Sequence, residues 1–227
     1  GAGRRSCLIK TLYVDTITGM VIMRNFVVFE GGDGSGTTTQ LELLSKRFAE
    51  PGLPPFHATC EPTGGPVGVL IRTVLRGEIV LRPETIARLF AADRNEHLYG
   101  PGGIVERCSR GELVASDRYT PSSLVYQGVT CGDELPAALN SAFPAPELLV
   151  FFDLESKTAL ERIASRPGRD IYEYLDFQTQ VRFRYQALLS QYEEAGVRVE
   201  RIDASLPPGE IAERVWGAVG KTPIMGR

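Results

Sequence analysis

The segment Gly31 to Thr39, GGDGSGTTT, follows the apolar run FVVF at residues 26–29 and sets glycines and hydroxyls where a phosphate could be held. A phosphate-binding loop has the pattern G-x-x-x-x-G-K-[ST]. Its backbone N–H groups cradle phosphate, its lysine reaches the β- and γ-phosphates, and its hydroxyl serves Mg²⁺. Gly31, Gly36 and Thr38 stand at the required spacing, but Thr37 occupies the lysine position. Helical spacing from Gln40 to residue 48 puts a helix N-terminus behind the loop, which favours an anion even without the lysine. The missing positive charge has to come from elsewhere in the chain.

Other constellations supply candidates. Glu61, Pro62, Thr63, Gly64, Gly65 and Pro66 form a polar loop after a strand expected to end near Thr59, the place where open α/β sheets put ligands. The helix expected over residues 67–75 carries Arg72. Phe90 and Arg94 lie four apart on one helix face, able to stack a base and donate to its carbonyl edge, or to serve as core and solvated charge. Asp117 and Arg118 emerge where the run at residues 113–116 ends. The acid suits a metal shell and the guanidinium a bidentate phosphate clamp, with a plain structural ion pair as the alternative. Ser122, Ser123, Tyr126 and Gln127 follow within about one and a half helical turns. Arg162, Arg166 and Arg169 flank the helix breaker Pro167-Gly168. They read as a cationic flap closing on phosphate, or as a solvated turn.

The elements that must position these residues are those of an α/β fold. Apolar runs at residues 26–29, 113–116, 148–152 and 197–202 alternate with helical stretches, which implies a parallel sheet covered on both faces. With 227 residues, 43% of them hydrophobic, and no repeat or low-complexity linker, one domain is expected over residues 24–227. Residues 1–23 are set aside as an N-terminal extension, partly foreign at its start, and a lid is expected around residues 162–175. A net charge of -3 argues against nucleic acid as a partner. Cys7, Cys60, Cys108 and Cys131 show no C-x-x-C or metal-ligand spacing, so they read as thiols of a reducing compartment. Neither a signal peptide nor a run of ~20 apolar residues is found, so no membrane and a cytoplasmic location are expected.

The segments FEGGDGSGTTTQ, EPTGGPVG, LFAADRNEH, ASDRYTPSSLVYQG, LLVFFDLESKTALERI and the stretch through IYEYLDF resemble, in order and spacing, successive motifs of thymidylate kinases. The resemblance runs from Asn25 to about Ala218. It implies a three-layer P-loop fold with a five-stranded parallel sheet, homodimerisation, and Mg²⁺-dependent phosphoryl transfer from ATP to dTMP. On that resemblance, Gly31, Gly32, Asp33, Gly34, Ser35, Gly36, Thr37, Thr38 and Thr39 hold ATP, with Thr38 and Asp117 serving Mg²⁺. Asp33 lies near the acceptor sugar and the moving phosphoryl, while Arg72 and Arg118 grip the dTMP phosphate. Phe90 stacks thymine, Arg94 donates to its carbonyl, and Ser122, Ser123 and Gln127 line the site with Glu61 and Pro62. Tyr126 crowds the place of a ribose 2′-hydroxyl.

Some members of the family carry an arginine in the loop. Others have glycine there and keep catalytic arginines in the lid, and Gly34 matches this second type. The resemblance thus assigns catalysis to Asp33, Arg118, Arg166 and Arg169, with Arg162 at the lid base and Glu173 orienting the lid arginines. Thr37 in place of lysine and Cys60 in place of a frequent arginine depart from the family pattern. The alternatives are a kinase for another pyrimidine monophosphate and a catalytically impaired nucleotide-binding regulator. The absence of an N-K-x-D guanine-reading motif disfavours a switch GTPase.

Overall fold

The computed structural model describes residues 13–15, 19–164 and 170–226. Its sheet contains β1 (Tyr13–Asp15), β2 (Val21–Gly31), β3 (Phe56–Cys60), β4 (Leu113–Asp117), β5 (Ala145–Asp153) and β6 (Arg198–Asp203). Five strands are parallel in the order β3-β4-β2-β5-β6, and β1 lies antiparallel to β2. The expected parallel sheet is present, all four apolar runs fall in strands, and the strand expected to end near Thr59 is β3, which ends at Cys60.

The sheet reaches into the segment set aside as an extension. β2 begins at Val21, Ile22 and Met23 are buried, and residues 21–23 pair with β1. The register between β2 and β5 shifts between Met23 and Val27, where Asn25 adopts a left-handed φ of 61°. Asn is among the residues that tolerate this conformation, and here its backbone and side chain are both held by hydrogen bonds. Its N–H donates to Glu147 at 2.9 Å and its Nδ2 to the Cys108 carbonyl at 3.2 Å. The strand thus continues through the polar pair Arg24-Asn25, where the apolar pattern breaks.

Alternation along β2 divides its side chains between two cores. Val27 and Phe29 face α1 (Thr37–Phe48) and α9 (Pro208–Val219), packing with Leu41, Leu44, Ile211 and Val215. Phe26 and Val28 face the opposite layer, where α3 (Pro83–Tyr99) contributes Leu98 and α4 (Ile104–Ser109) contributes Ile104 and Cys108. The same layer holds α5 (Thr120–Cys131) and α8 (Leu175–Glu194), whose Val125, Phe177, Val181 and Tyr185 pack on Leu149 and Phe151. With both faces covered, the central strands carry near-continuous apolar runs such as residues 26–29 and 148–152. α2 (Pro66–Leu75), α6 (Glu134–Asn140) and α7 (Ser156–Ile163) complete the helices.

The carboxyl ends of β2, β3 and β4 converge, and each runs straight into a polar segment: Gly31 into the glycine loop, Cys60 into Glu61, and Asp117 into Arg118. Because Phe29 is fully buried against Phe152 with ring centroids 5.2 Å apart, Phe29→Ala should cost about 3–5 kcal/mol. Urea unfolding would measure this.

Candidate active site

The loop closes as a tight turn. Ser35 N donates to the Gly32 carbonyl at 3.1 Å, and Gly36, at φ 92°, is the residue before α1. The helix starts at Thr37, three residues earlier than its apolar spacing suggests. Gly34 has φ 89°, and a Cβ there would lie 2.2 Å from the Ala159 carbonyl oxygen of α7. A cavity of about 490 Å³ opens over the loop, lined by Gly32, Asp33, Gly34, Gly36, Thr37, Thr38 and Thr39 and by Asp117, Arg72 and Arg118 across it. Gly31 and Ser35 sit below it. Ser35 is buried, and Gly31 offers its carbonyl to Arg118 Nη1 at 3.2 Å.

Thr38 donates its hydroxyl to Asp117 Oδ2 at 2.5 Å, so the Thr38 oxygen keeps its lone pairs free. Asp117 Oδ1 is buried without a hydrogen-bond partner. Two hard oxygen donors, one orphaned, beside a phosphate loop fit Mg²⁺, which takes one or two protein ligands and completes its shell with phosphate and water.

Arg118 joins the loop to the second cavity. It is one of two non-glycine residues with positive φ among the described residues, at 72°. Its N–H donates to the Phe29 carbonyl at 2.9 Å, its Nη1 to Ser122 Oγ at 3.1 Å, and its Nη2 to Asp33 Oδ1. The guanidinium also lies 5.1 Å from the Tyr126 ring centroid. Asp33 is held from its other side by Gln178 of α8. Gln178 Nε2 donates to Asp33 Oδ2 at 2.7 Å, and Asp33 N donates to Gln178 Oε1 at 3.2 Å.

The second cavity, about 340 Å³, is lined by Pro62, Leu75, Phe90, Ser122, Ser123, Tyr126 and Gln127 together with Asp33, Glu61, Arg72, Arg118 and Asp170. Tyr126 Oη and Gln127 Oε1 are buried there without hydrogen-bond partners. Arg72 is turned onto its own loop, donating to the Thr63 and Pro62 carbonyls and to Cys60 Sγ at 3.7 Å. Asp93 braces the same loop through Thr63 N at 2.7 Å and Thr63 Oγ1 at 2.6 Å.

Arg94 stands behind this wall and does not line the cavity. It is 1% exposed and donates through Nε and Nη2 to Glu61 Oε2 at 2.9 and 2.6 Å, through Nη2 to Ser123 Oγ at 3.0 Å, and through Nη1 to Asn140 Oδ1. Of a guanidinium's five N–H groups, this leaves a single one on Nη1. The other Glu61 oxygen meets His97 Nδ1 at 3.1 Å, and His97 Nε2 meets Thr59 Oγ1 at 2.7 Å. An ionised Glu61 can only accept, so Nδ1 carries a proton.

Gln178, Asn140, His97, Asp93 and Asp170 are absent from the sequence reading. The site residues that Gln178, Asn140, His97 and Asp93 meet (Asp33, Arg94, Glu61 and Thr63) lie 30 or more residues away, as with the 145 that separate Asp33 from Gln178. Only the hydroxyls and amides clustered near β4 gave any local signal. Arg162 donates to the Ala204 carbonyl at 3.0 Å at the end of α7, and Glu173 lines the loop cavity. Arg166 and Arg169 lie outside the described residues.

The thymidylate kinase family model matches residues 29–215. The chain belongs to the thymidylate kinase family. A relative from Treponema pallidum is 41% identical over 199 residues, covering 86% of this chain and 95% of its own. One from Aeropyrum pernix is 40% identical over 208 residues, covering 86% and 97%. The thymidylate kinase of Thermomicrobium roseum is 37% identical over 211 residues, covering 89% and 97%. The enzyme class is that of a nucleoside monophosphate kinase, a transferase. Among the described residues, no helix is long and apolar enough to cross a membrane.

Two buried acids of this thymidylate kinase have measurable consequences. Glu61→Ala would strand the Arg94 guanidinium, at a cost of about 3–5 kcal/mol by denaturant titration. Glu30, fully buried, is pushed from its ordinary 4.5 up to about 7 by burial, which the Arg118 charge only partly offsets. The folded state therefore favours the protonated acid. Its stabilising contribution, on the order of 3 kcal/mol, is complete below 4.5 and lost as pH rises through about 7. Unfolding free energies between pH 4 and 8 should show this slope in the wild type and not in Glu30→Gln.

Proposed function

We propose that the protein transfers the γ-phosphoryl group of ATP to dTMP. The observation that carries this reading is the junction of the two cavities. Asp33, Glu61, Arg72, Arg118 and Asp170 line both, so a donor bound over the glycine loop and an acceptor bound against Phe90 would meet at Arg118. Phosphoryl transfer is mostly positioning and charge stabilisation, and two arginines on the shared wall suit it.

In this reading ATP phosphates lie on the backbone N–H groups of Gly31 to Thr39, and the dTMP phosphate takes Arg72 and Arg118. Thymine stacks on Phe90, with Ser123 and Gln127 reading its edge and Arg94 holding Ser123 from behind the wall, and Tyr126 fills the space a 2′-hydroxyl would need. Asp33, held by Gln178 and Arg118, faces the acceptor sugar. Mg²⁺, held by Thr38 Oγ1 and Asp117, would supply charge neutralisation on the donor phosphates.

With Thr37 at the lysine position, Arg166 and Arg169 complete the charge when the lid closes, Arg162 anchoring the lid base and Glu173 orienting them. The thymidylate kinase acts in this reading as a cytoplasmic homodimer without nucleic acid or membrane, a state that gel filtration would test.

ADP release with ATP, Mg²⁺ and each monophosphate in turn should be fastest with dTMP. dUMP should be slower by roughly 10- to 200-fold, the worth of one methyl in an apolar pocket. Preference for another pyrimidine monophosphate, or tight binding without turnover, would overturn it. Arg166→Ala and Arg169→Ala should each lower kcat by roughly 10²- to 10³-fold, and Thr37→Lys should raise it. Unchanged turnover in both alanine variants would remove the lid from the mechanism.

A further inference from the structure

Glu30 touches neither cavity, yet it lies one residue before the glycine loop with its carboxylate fully buried between β2, α5 and α8. Four donors converge on it. Oε1 accepts the backbone N–H groups of Tyr119 at 2.9 Å and Ser122 at 3.2 Å. Oε2 accepts the hydroxyls of Ser122 at 2.6 Å and Tyr185 at 2.8 Å. These four donors can satisfy an ionised Glu30, but burial outweighs them, so the acid ionises only as pH rises through about 7.

We infer that Glu30 is a positioning residue for the acceptor-phosphate clamp: through Ser122 and the Tyr119 N–H it sets where the Arg118 guanidinium points. Two contacts carry this.

The single Ser122 hydroxyl proton goes to Glu30, which leaves a lone pair facing Arg118 Nη1 at 3.1 Å. Without the carboxylate that hydroxyl can turn its proton toward the guanidinium, and two donors then oppose each other. The second contact concerns the backbone. Arg118 sits at φ 72°, a conformation that persists only when its surroundings over-determine it. The Phe29 carbonyl holds the N–H of Arg118 at 2.9 Å, and Glu30 holds the N–H of the next residue. The strained residue is pinned on both sides.

The charged and titratable groups facing Glu30 are Arg118, from the turn after β4, and Tyr185 and Tyr192 of α8. Burial pushes Tyr192 up to about 12 and Tyr185 also upward, so near neutral pH Glu30 alone in this cluster changes charge.

The inference rests on Arg118 gripping the dTMP phosphate. Wild-type turnover and dTMP binding test that reading, whereas the ratio of variant to wild type tests Glu30. In Glu30→Gln the two backbone N–H groups keep an oxygen, while the new amide forces both hydroxyls to reverse. dTMP affinity by calorimetry should fall roughly 10- to 100-fold above pH 7, the worth of hydrogen bonds to a charged group, with ATP affinity kept. The ratio should close toward unity as pH drops through about 7, where the wild-type acid protonates. The phosphate's own ionisation is common to both proteins and cancels.

dTMP affinity within twofold of wild type at every pH, or an equal loss for ATP, would overturn the inference. Tyr185→Phe provides a second arm if Glu30→Gln does not fold. Losing one donor to the charged form should move the wild-type pH midpoint of dTMP binding upward, and an unmoved midpoint would overturn the inference as well.

Discussion

The Arg118–Asp33 ion pair joins the turn after β4 to the glycine loop after β2, and the geometry of both cavities depends on it. Its side chains are only 21% and 22% exposed, so the loss of hydration offsets much of the attraction and the pair's net contribution to stability is modest. What the pair does is fix direction. One guanidinium reaches the Gly31 carbonyl, the Ser122 hydroxyl and the Asp33 carboxylate, and lies beside the Tyr126 ring. The guanidinium is thereby held in one orientation at the junction of the two cavities, and a preorganised charge leaves little reorganisation for any anion that meets it.

The base side rests on a more deeply buried pair. Arg94 and Glu61 are 1% and 3% exposed, so their pairing is offset by the loss of hydration, and the net gain in stability is modest. The return is a fixed arginine. Glu61, Ser123 and Asn140 hold the guanidinium plane, and His97 and Thr59 in turn hold Glu61. A guanidinium with so little freedom fixes in turn the Ser123 hydroxyl and the Glu61 carboxylate that line the cavity.

Apolar runs located four of the five parallel strands, because strands buried on both faces carry near-continuous hydrophobic sequence, while the edge strand β3, only partly buried, was placed by the polar loop that follows it. The loop, the acid and guanidinium after β4 and the aromatic of α3 were legible for a related reason: each follows a strand end or helix spacing within a few residues. Contacts that depend on tertiary folding were not. Gln178 meets Asp33 across 145 residues, and Tyr185 meets Glu30 across 155, with no local pattern to announce either. Arg94 was identified by residue type, but its burial behind the cavity wall could not be read from an i, i+4 spacing. β2 extends further than its apolar run because a left-handed asparagine carries the strand past a polar break.

The close seat of Gly34 on α7 bears on the history of the site. A side chain at that position would begin 2.2 Å from the Ala159 carbonyl, and the backbone there is already left-handed. An arginine could enter the loop at Gly34 only if α7 moved away first, two changes of which neither helps alone. Loop charge at Gly34 would therefore require α7 to move, whereas Thr37 already lines the cavity where a charge would act.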